Sequence, residues 1–520
     1  MKRILQRNMR TVFALAGSLV LFACTATPAT RGKVLRIVPQ SDLEILDPVF
    51  TTAGVTYNHA NMIYDTLFGI DANGQISKQM LETYGTSADQ KIWTFTLRDG
   101  LEFQDGTPVT SEDVIASIQR WGQKDTMGQQ LMTFVDRWEA LNAKIFRMKL
   151  KEPYALVLES LWGPFIMPKR VADTPADKPI TDTTGSGPFI YRKDESKTGE
   201  KVVYIRNTKY RPRTDPASGT SGGKVVKVDR VEWIIIKDTQ TAVNALTAGE
   251  VDLIEQPAYE QYSALEKDPD IQMVVINPLG GQYVLRFNHL VPPFNNSMVR
   301  QAAMAALNQP AFLKTQVGVP GKYHTCFSIY PCNSTYFSTK GMDFIANPDG
   351  KRAHQLLIES GYDGTPVVVM QPTDQPTIAK LPGVASQLLS AAGFKVDMQS
   401  MDWQTELARR NKKEGWSLLI TATGAVTVMN PISNYFLSGS CDKAWPGWPC
   451  DPEIEKLRDE FARALDDKSR KVLAEQVQVR AMGIGAYVPL GEYVRAIAAR
   501  KSVKGLLPGY SMVLWNVDKQ

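Results

Sequence analysis

Histidine is scarce in this sequence, which has only four among 520 residues. Their positions show neither the H-x-x-x-H nor the H-E-x-x-H spacing that a dedicated metal or metalloprotease site would need. This spacing argues against a metal cage, although a metal carried inside a chelated solute would need no such motif. We therefore expect no cofactor and no metal site at His59, His289, His324 or His354.

Catalytic motifs are also lacking. The G-x-S-x-G match at residues 219–223 lies in a polar loop before a strand, whereas a nucleophile elbow joins a strand to a helix. The glycine pairs at 185–187 and 483–485 lack the third glycine of a dinucleotide-binding loop, and no phosphate-loop motif occurs. We predict that the protein is not an enzyme. The contrasting hypothesis, a secreted two-lobed hydrolase, lacks a recognisable nucleophile and base.

Long apolar runs are absent after the N-terminus, so no later segment has the roughly 20 apolar residues that a membrane-spanning helix requires. Residues 1–23 differ, because basic residues precede the apolar run TVFALAGSLVLFA and small residues follow it. That arrangement predicts an export signal. LFAC (21–24) is similar to a bacterial lipobox, which would make Cys24 a lipidated N-terminus, whereas cleavage near Ala26 or Ala29 would release the protein. Both routes stay open, and they predict a periplasmic protein that is either anchored or free.

Removal of the predicted signal would leave the mature protein with almost no net charge. The whole chain has a formal net charge of +5, and residues 1–23 contain four positive and no negative residues, which leaves +5 − 4 = +1. The composition therefore indicates no strongly charged partner, and we expect no nucleic-acid partner.

Four cysteines follow Cys24. Export implies an oxidising compartment, where nearby thiols pair. Three pairings are possible, and the local ones, Cys326–Cys332 and Cys441–Cys450, are the simplest because they close short loops. The alternative is a zinc site of all four thiolates, but neither pair has the C-x2-4-C spacing of zinc knuckles. We therefore favour two disulfides.

Strand and helix patterns alternate along almost the whole chain. The segment 227–256 reads as strand, helix and strand, a unit that favours a parallel sheet. Residues 54–69 predict an amphipathic helix that ends at Gly69. In the stretch 93–114, Thr110 is placed to cap a helix, with Asp113 three residues on in a variant of the capping box. These patterns predict an α/β protein with more than one lobe.

Residues 93–114, WTFTLRDGLEFQDGTPVTSEDV, resemble the signature of family 5 of the extracellular solute-binding proteins, the peptide, nickel and oligopeptide class that serves bacterial ABC transporters. In that signature a strand ends at Leu-Arg-x-Gly, and an Asp-Gly-x-Pro turn is followed by Thr-x-x-Asp-Val. Further segments resemble the same family in the same order, at 45–71, 185–191, 228–255, 292–313, 391–410 and 487–492.

The resemblance implies a two-lobed periplasmic-binding-protein-like α/β fold, of type II and the large cluster C class, with an extra inserted domain. We expect lobe I to comprise 31–65, 187–277 and 484–520, the inserted domain II to comprise 66–186, and lobe II (domain III) to comprise 278–483. The implied function is that of a monomeric receptor. It would capture a small organic solute, a di- or oligopeptide or a related compound, by closing its cleft, and would deliver that solute to an ABC permease. A receptor for a nickel or haem chelate is the alternative within the same class.

The segment 421–430, TATGAVTVMN, bears on the solute because it contains no acid. In peptide-binding members of the family, an Asp from this segment meets the peptide ammonium, and Thr427 stands in its place when counted back from Pro431. A buried ammonium without a carboxylate is costly. Either another lobe supplies the charge, or the ligand is not a free peptide.

The resemblance implies two ligand-binding residues near this segment, and neighbouring positions supply further candidates. Trp403 would form a cleft wall, and Arg410 would meet a carboxylate through its planar guanidinium. Trp445 and Trp448 lie between Cys441 and Cys450, and they would either line the mouth of the cleft or pack inward within a rigid loop. The full set of candidates is Trp403, Arg410, Thr427, Asn434, Tyr435, Trp445 and Trp448.

Overall fold

The computed structural model describes residues 32–520. The predicted signal, 1–23, and Cys24 lie outside the described residues. Within 32–520, no helix combines the length and the apolar character needed to cross a membrane.

A seven-stranded mixed sheet forms the centre of lobe I. Its central strand, Val34–Val38, pairs in parallel with a neighbour on each side, and those two neighbours belong to the strand–helix–strand unit predicted at 227–256. The connecting helix, Thr239–Ala248, begins at Asp238 and ends at Gly249, whose φ of +77° closes the helix. The strands lie in the order Phe189–Tyr191, Lys201–Arg206, Arg230–Ile234, Val34–Val38, Leu253–Ile254, Ile497–Arg500 and Ile271–Val274.

A six-stranded mixed sheet forms the centre of lobe II. Gly281–Phe287 runs antiparallel to both of its neighbours. One of those neighbours, Val488–Tyr493, falls in the segment 484–520 that the predicted boundaries place in lobe I, so the pairing moves this strand into lobe II. The order is Tyr323–His324, Val488–Tyr493, Gly281–Phe287, Leu418–Gly424, Val367–Pro372 and Val396–Met401.

The chain passes between these two sheets at two crossovers, 275–280 and 494–496. Tyr493 at the start of the second crossover stacks on Tyr283 with ring centroids 4.1 Å apart. The hydroxyl of Tyr259 donates to the carbonyl of Val494 at 3.2 Å. A Cβ on Gly280, in the first crossover, would collide with the carbonyl oxygen of Tyr493. The crossovers therefore lie side by side, and the Tyr259 bond ties the second one to lobe I.

A four-stranded antiparallel sheet forms the inserted domain, in the order Leu81–Thr86, Ile92–Leu97, Ile145–Leu150 and Val135–Ala140. The motif stretch 93–114 supplies one of its strands and the start of the helix Ser111–Trp121. The predicted capping box is confirmed: Asp113 N donates to Thr110 Oγ1 at 3.5 Å, and Thr110 N donates to Asp113 Oδ2 at 2.8 Å. The stretch therefore braces the fold.

The helix predicted at 54–69 is shorter than expected and ends at Ile63. Asp65–Thr66 and Phe68–Ile70 instead pair as short strands with Phe165–Ile166 and Ile76–Lys78, respectively.

The α-helices are Gly54–Ile63, Ser111–Trp121, Thr126–Phe134, Val157–Leu161, Lys169–Ala172, Thr239–Ala248, Tyr262–Lys267, Ser297–Ala306, Gln309–Gln316, Asp343–Ala346, Gly350–Glu359, Leu381–Ala391, Trp403–Arg409, Pro452–Arg463 and Asp467–Ile484.

Candidate functional site

A cavity of about 430 Å³ lies between the lobes. This volume is near the lower end of the roughly 300–1,000 Å³ that small-molecule sites span. All three parts of the fold line it, and the second crossover also contributes. The polar and aromatic residues used below are Gln40, Thr52, Asn58, Trp121, Asp125, Glu159, Trp162, Glu255, Gln256, Gln375, Thr377, Trp403, Arg410, Thr421, Thr423, Thr427, Tyr435, Trp445 and Arg495.

Arg410 brings a positive charge to the lobe II wall of this cavity. It directly follows the helix Trp403–Arg409 and is only 7% exposed. Its Nη2 donates to Thr52 Oγ1 at 3.3 Å, and its guanidinium lies 5.1 Å from the ring centre of Trp445. Among the residues that the structure describes, Arg410 Nε has no hydrogen-bond partner. The guanidinium therefore keeps free donor capacity in a buried place.

Burial lowers the pKa of Arg410, and Tyr435 and Glu406 partly offset that effect. Glu406 lies one turn earlier on the same helix and is 1% exposed. Burial raises its pKa to about 8, against the opposing influence of Arg410. Glu406 is therefore largely uncharged at neutral pH, which leaves the charge of Arg410 available to a ligand.

Aromatic side chains form the wall around Arg410. Trp403, Tyr435 and Trp445 all line the cavity. Tyr435 and Trp445 pack against each other with ring centroids 5.5 Å apart. Together with the stack of Arg410 on Trp445, this packing gives a largely apolar surface beside one cation.

A disulfide and a buried arginine hold the loop that carries Trp445 in place. The predicted disulfide Cys441–Cys450 is present, as is Cys326–Cys332. The fully buried guanidinium of Arg286 donates to the carbonyl oxygens of Phe436 at 2.7 Å, Trp445 at 3.1 Å, Pro446 at 3.0 Å and Ala486 at 2.5 Å. Burial lowers the pKa of Arg286 to about 9.

Two predicted ligand-binding residues are not on the cavity wall. Asn434 is fully buried, and its amide donates to the hydroxyl of Tyr487 at 2.9 Å. Its carbonyl accepts from Phe436 N at 3.2 Å, so it caps the turn that carries Tyr435. Trp448 is 6% exposed and packs against Trp416 with ring centroids 6.0 Å apart. Both residues have structural roles because their side chains point into the lobe.

The acid-free segment does form part of the cavity. Thr421 and Thr423 lie two residues apart on the strand Leu418–Gly424, so their side chains point to the same face of the sheet. Thr427 lies in the 3-10 turn Ala425–Val428 and also lines the cavity. This wall therefore offers hydroxyl groups and no carboxylate.

Sequence reasoning missed the acids and the second arginine of the cavity. Glu255 follows the strand Leu253–Ile254, and Arg495 lies on the second crossover. A signal for Glu255 was available, because ligands of α/β sheets bind at the carboxyl ends of strands. No local pattern distinguishes Arg495, since its position depends on how the crossover packs.

The inserted domain adds an acidic and aromatic end to the cavity, formed by Trp121, Asp125, Glu159 and Trp162. Asp125 caps the helix Thr126–Phe134, accepting from Met127 N at 2.8 Å and Gly128 N at 3.2 Å. Both bonds reach Oδ1, so one oxygen of this carboxylate is used as the cap.

One cluster in the described part of the chain has metal-ligand character, formed by Cys326, Cys332 and Glu492. Its two sulfur atoms are bonded to each other, so they are not thiolate ligands. All four histidines lie within 32–520, and none lines the cavity.

Two lobes joined by two adjacent crossovers, with a solute-sized cavity between them, define the class of solute-binding receptors. The comparisons with known proteins agree. Residues 75–445 match the model for bacterial extracellular solute-binding proteins, family 5 Middle. The chain is 36% identical over 503 residues to the probable peptide ABC transporter periplasmic-binding protein y4tO of Sinorhizobium fredii, covering 95% of this chain and 94% of that protein.

More distant relatives share the same organisation. The glutathione-binding protein GsiB of Escherichia coli O1:K1 is 25% identical over 415 residues, covering 78% of this chain and 77% of GsiB. The solved structure of PBP AgaA from A. tumefaciens R10, in complex with agropinic acid, has a TM-score of 0.80 at 24% identity. That match covers 94% of this chain and 99% of AgaA.

The chain belongs to family 5 of the bacterial extracellular solute-binding proteins. The predicted two-lobed α/β fold of the type II periplasmic binding proteins is confirmed. The protein is a transport receptor rather than an enzyme, and it acts outside the cytoplasm together with an ABC transporter.

Proposed function

We propose that this receptor captures a small organic solute that carries a carboxylate, and that Arg410 binds that carboxylate. The supporting observation is the state of Arg410: it is 7% exposed, it faces the cavity, and its Nε has no partner among the described residues. A guanidinium presents its donors as a planar fork that matches a carboxylate. Removing such a group from water is costly unless a partner compensates it, and the solute would be that partner.

The size of the cavity supports a small solute. A volume of about 430 Å³ suits an amino-acid derivative or a short peptide, whereas an extended oligopeptide would need more room while the lobes are closed. The stack of Trp445 on Arg410 and the neighbouring Trp403 provide apolar contact for the body of the ligand.

The relatives support the same class of solute. The Sinorhizobium relative is named for peptides, GsiB for glutathione, and AgaA is in complex with agropinic acid. Peptides and organic acids share the carboxylate that Arg410 would recognise. No histidine among the described residues lines the cavity, so a nickel or haem chelate would bind there without a histidine ligand from the protein.

A thermal-shift screen tests this proposal, with short peptides, opine-type acids, sugars and aromatic acids as probes. A ligand at 100 times its Kd should stabilise the protein by about 2.7 kcal/mol. Arg410→Met should weaken binding of a carboxylate hit by at least about 30-fold, because it removes one partner of a buried charge pair.

Arg409→Met is the matched control, since Arg409 is the adjacent arginine and does not line the cavity. If Arg410→Met bound the hit as tightly as Arg409→Met, the carboxylate proposal would be wrong. Chemical conversion of the hit by the protein would contradict the receptor function itself.

We further propose that the mature protein acts as a monomer that presents its closed form to the permease, without a nucleic-acid partner. The near-neutral mature charge supports the lack of a nucleic-acid partner, because it provides no strong field for a polyanion. Intact-mass analysis of the exported protein distinguishes lipidation at Cys24 from cleavage near Ala26 or Ala29.

A further inference from the structure

We infer that Glu255 binds a positively charged amino group, and that the solute is therefore a zwitterion held between Glu255 on lobe I and Arg410 on lobe II. This inference rests on the proposed function, because it takes the carboxylate end of the solute to lie at Arg410. It adds the chemical group that lies at the other end.

Glu255 is built as a fixed acceptor in the cavity wall. It follows the strand Leu253–Ile254, is 8% exposed and lines the cavity. Its Oε2 accepts from Gln40 N at 2.8 Å, and its Oε1 accepts from Gln40 Nε2 at 2.8 Å and from Asn58 Nδ2 at 2.7 Å. A carboxylate has about four acceptor positions, so these bonds orient the group and leave capacity for one more donor.

The partners of Glu255 are neutral, and its charge is not paired. Within residues 32–520, no Lys or Arg nitrogen lies within 4.0 Å of its carboxylate. Arg495 lines the same cavity, but its Nη1 donates to Thr377 Oγ1 at 3.3 Å and its guanidinium lies 5.4 Å from the ring centre of Tyr493. Burial raises the pKa of Glu255, and the charge of Arg495 partly offsets that effect.

A second acceptor on the opposite wall points to the same kind of ligand. Gln375 is 6% exposed and lines the cavity, and its Oε1 is buried without a hydrogen-bond partner among the described residues. Its neighbour Thr377 donates to Gln256 Oε1 at 2.5 Å, which ties this loop to the residue beside Glu255. An ammonium group has three donors. Glu255 leaves one acceptor position for it, and the amide oxygen of Gln375 is a further acceptor in this wall that lacks a donor.

The other acids of the cavity are poorer candidates. Asp125 is exposed, and its Oδ1 serves as a helix cap that accepts from Met127 N and Gly128 N. Glu159 is exposed, and an ion pair at an exposed carboxylate contributes little. Glu255 is both buried and available.

This assignment explains how a receptor without an acid at 421–430 could bind an amine. The carboxylate comes from the other side of the cleft. A zwitterion would then contact Glu255 on one lobe and Arg410 on the other at the same time, and such contacts exist only when the lobes are closed. Differential contact with the closed state is what drives closure.

Matched pairs of probes test the inference on the full-length mature protein. Ala-Phe, Gly-Glu and glutathione are each compared with their N-acetylated forms, which keep the carboxylate and lose the amine charge. We expect the free amines to bind at least about 30-fold more tightly than the acetylated forms in the wild type.

Glu255→Gln keeps the shape of the side chain and should remove that preference, whereas Glu266→Gln, which alters an exposed acid of the same lobe, should not. Melting temperatures of both variants without probe show whether they fold. The comparison of free and acetylated probes in the wild type tests the inference even if Glu255→Gln does not fold.

Equal binding of free and acetylated forms would overturn the inference. If that binding still required Arg410, the carboxylate proposal would survive while the role of Glu255 would not. If no member of any pair bound, the carboxylate proposal for Arg410 and the amine site at Glu255 would both be wrong. An unchanged preference in Glu255→Gln would show that the amine lies elsewhere.

Discussion

Replacing Glu406 by Gln should stabilise the protein, and the gain should depend on pH. Glu406 is 1% exposed on the helix Trp403–Arg409, and its Oε2 has no hydrogen-bond partner among the described residues. Burial is the main cause of its raised pKa, Asp374 raises it further, and Arg410 opposes both. An acid in such a place costs free energy whenever it must ionise.

The magnitude follows from the change in pKa. A rise from the ordinary value of 4.5 to about 8 corresponds to about 5 kcal/mol. Between these values the folded protein binds more protons than the unfolded chain, so its free energy of unfolding falls as the pH rises. Glu406→Gln lacks this titration. Its advantage over the wild type should be small below pH 4.5, about 3 kcal/mol at pH 7 and about 5 kcal/mol above pH 8.

Urea unfolding of the wild type and Glu406→Gln from pH 4.5 to pH 9 measures this difference. Glu414→Gln, which changes an exposed acid of the segment after the same helix, serves as the control and should show no such trend. A difference between Glu406→Gln and the wild type that is the same at pH 5 and pH 9 would refute the reasoning, because it would mean that Glu406 does not titrate in this range.

Other predictions concern the supports of the fold and the site. Thr110→Ala should lower the free energy of unfolding by about 1 kcal/mol through loss of the helix cap, and Thr110→Ser should restore most of it. Arg286→Met should cost at least about 3 kcal/mol because it leaves several buried carbonyl groups without donors; a smaller loss in urea unfolding would show that water or other groups replace the guanidinium. Replacing Cys441 and Cys450 by Ser should cost about 3 kcal/mol for a disulfide with a sequence separation of 9, as measured by thermal unfolding against the wild type under oxidising conditions.

The order of elements was predictable wherever local patterns agree with tertiary packing. The strand–helix–strand unit at 227–256 has a capped helix between apolar strands, and it folds as predicted around Val34–Val38. The helix predicted at 54–69 ends early because contacts with distant parts of the chain outweigh its local helical pattern. Asp65 forms a buried ion pair with Lys224 at 2.7 Å, and a Cβ on Gly69 would lie 2.5 Å from the carbonyl of Thr220. Residues about 150 positions away supply both constraints, so local sequence cannot reveal them.

The site was predictable only where the family resemblance reached it. Trp403 begins a helix that the motif identifies and Arg410 directly follows it, and both residues line the cavity. Asn434 and Trp448 do not line the cavity, because neighbouring positions in the sequence can face either the cleft or the interior of the lobe. Glu255 and Arg495 come from the opposite lobe and from a crossover, and only the folded arrangement brings them to the same cavity.

The contacts that join the lobes beside the cavity are individually weak. Near the cavity, Gln404 Nε2 donates to the carbonyl of Asp42 at 3.0 Å, and Arg410 reaches Thr52 at 3.3 Å. Each hydrogen bond of this kind contributes only about 1 kcal/mol net, and exposed ion pairs such as the one between Lys380 and Glu260 contribute less. A solute that satisfies a buried guanidinium from one lobe and a buried carboxylate from the other would add several kcal/mol to the closed state alone. That difference is large enough to shift the equilibrium from mostly open to mostly closed, so the same two unpaired charges that select the solute would also couple its binding to closure.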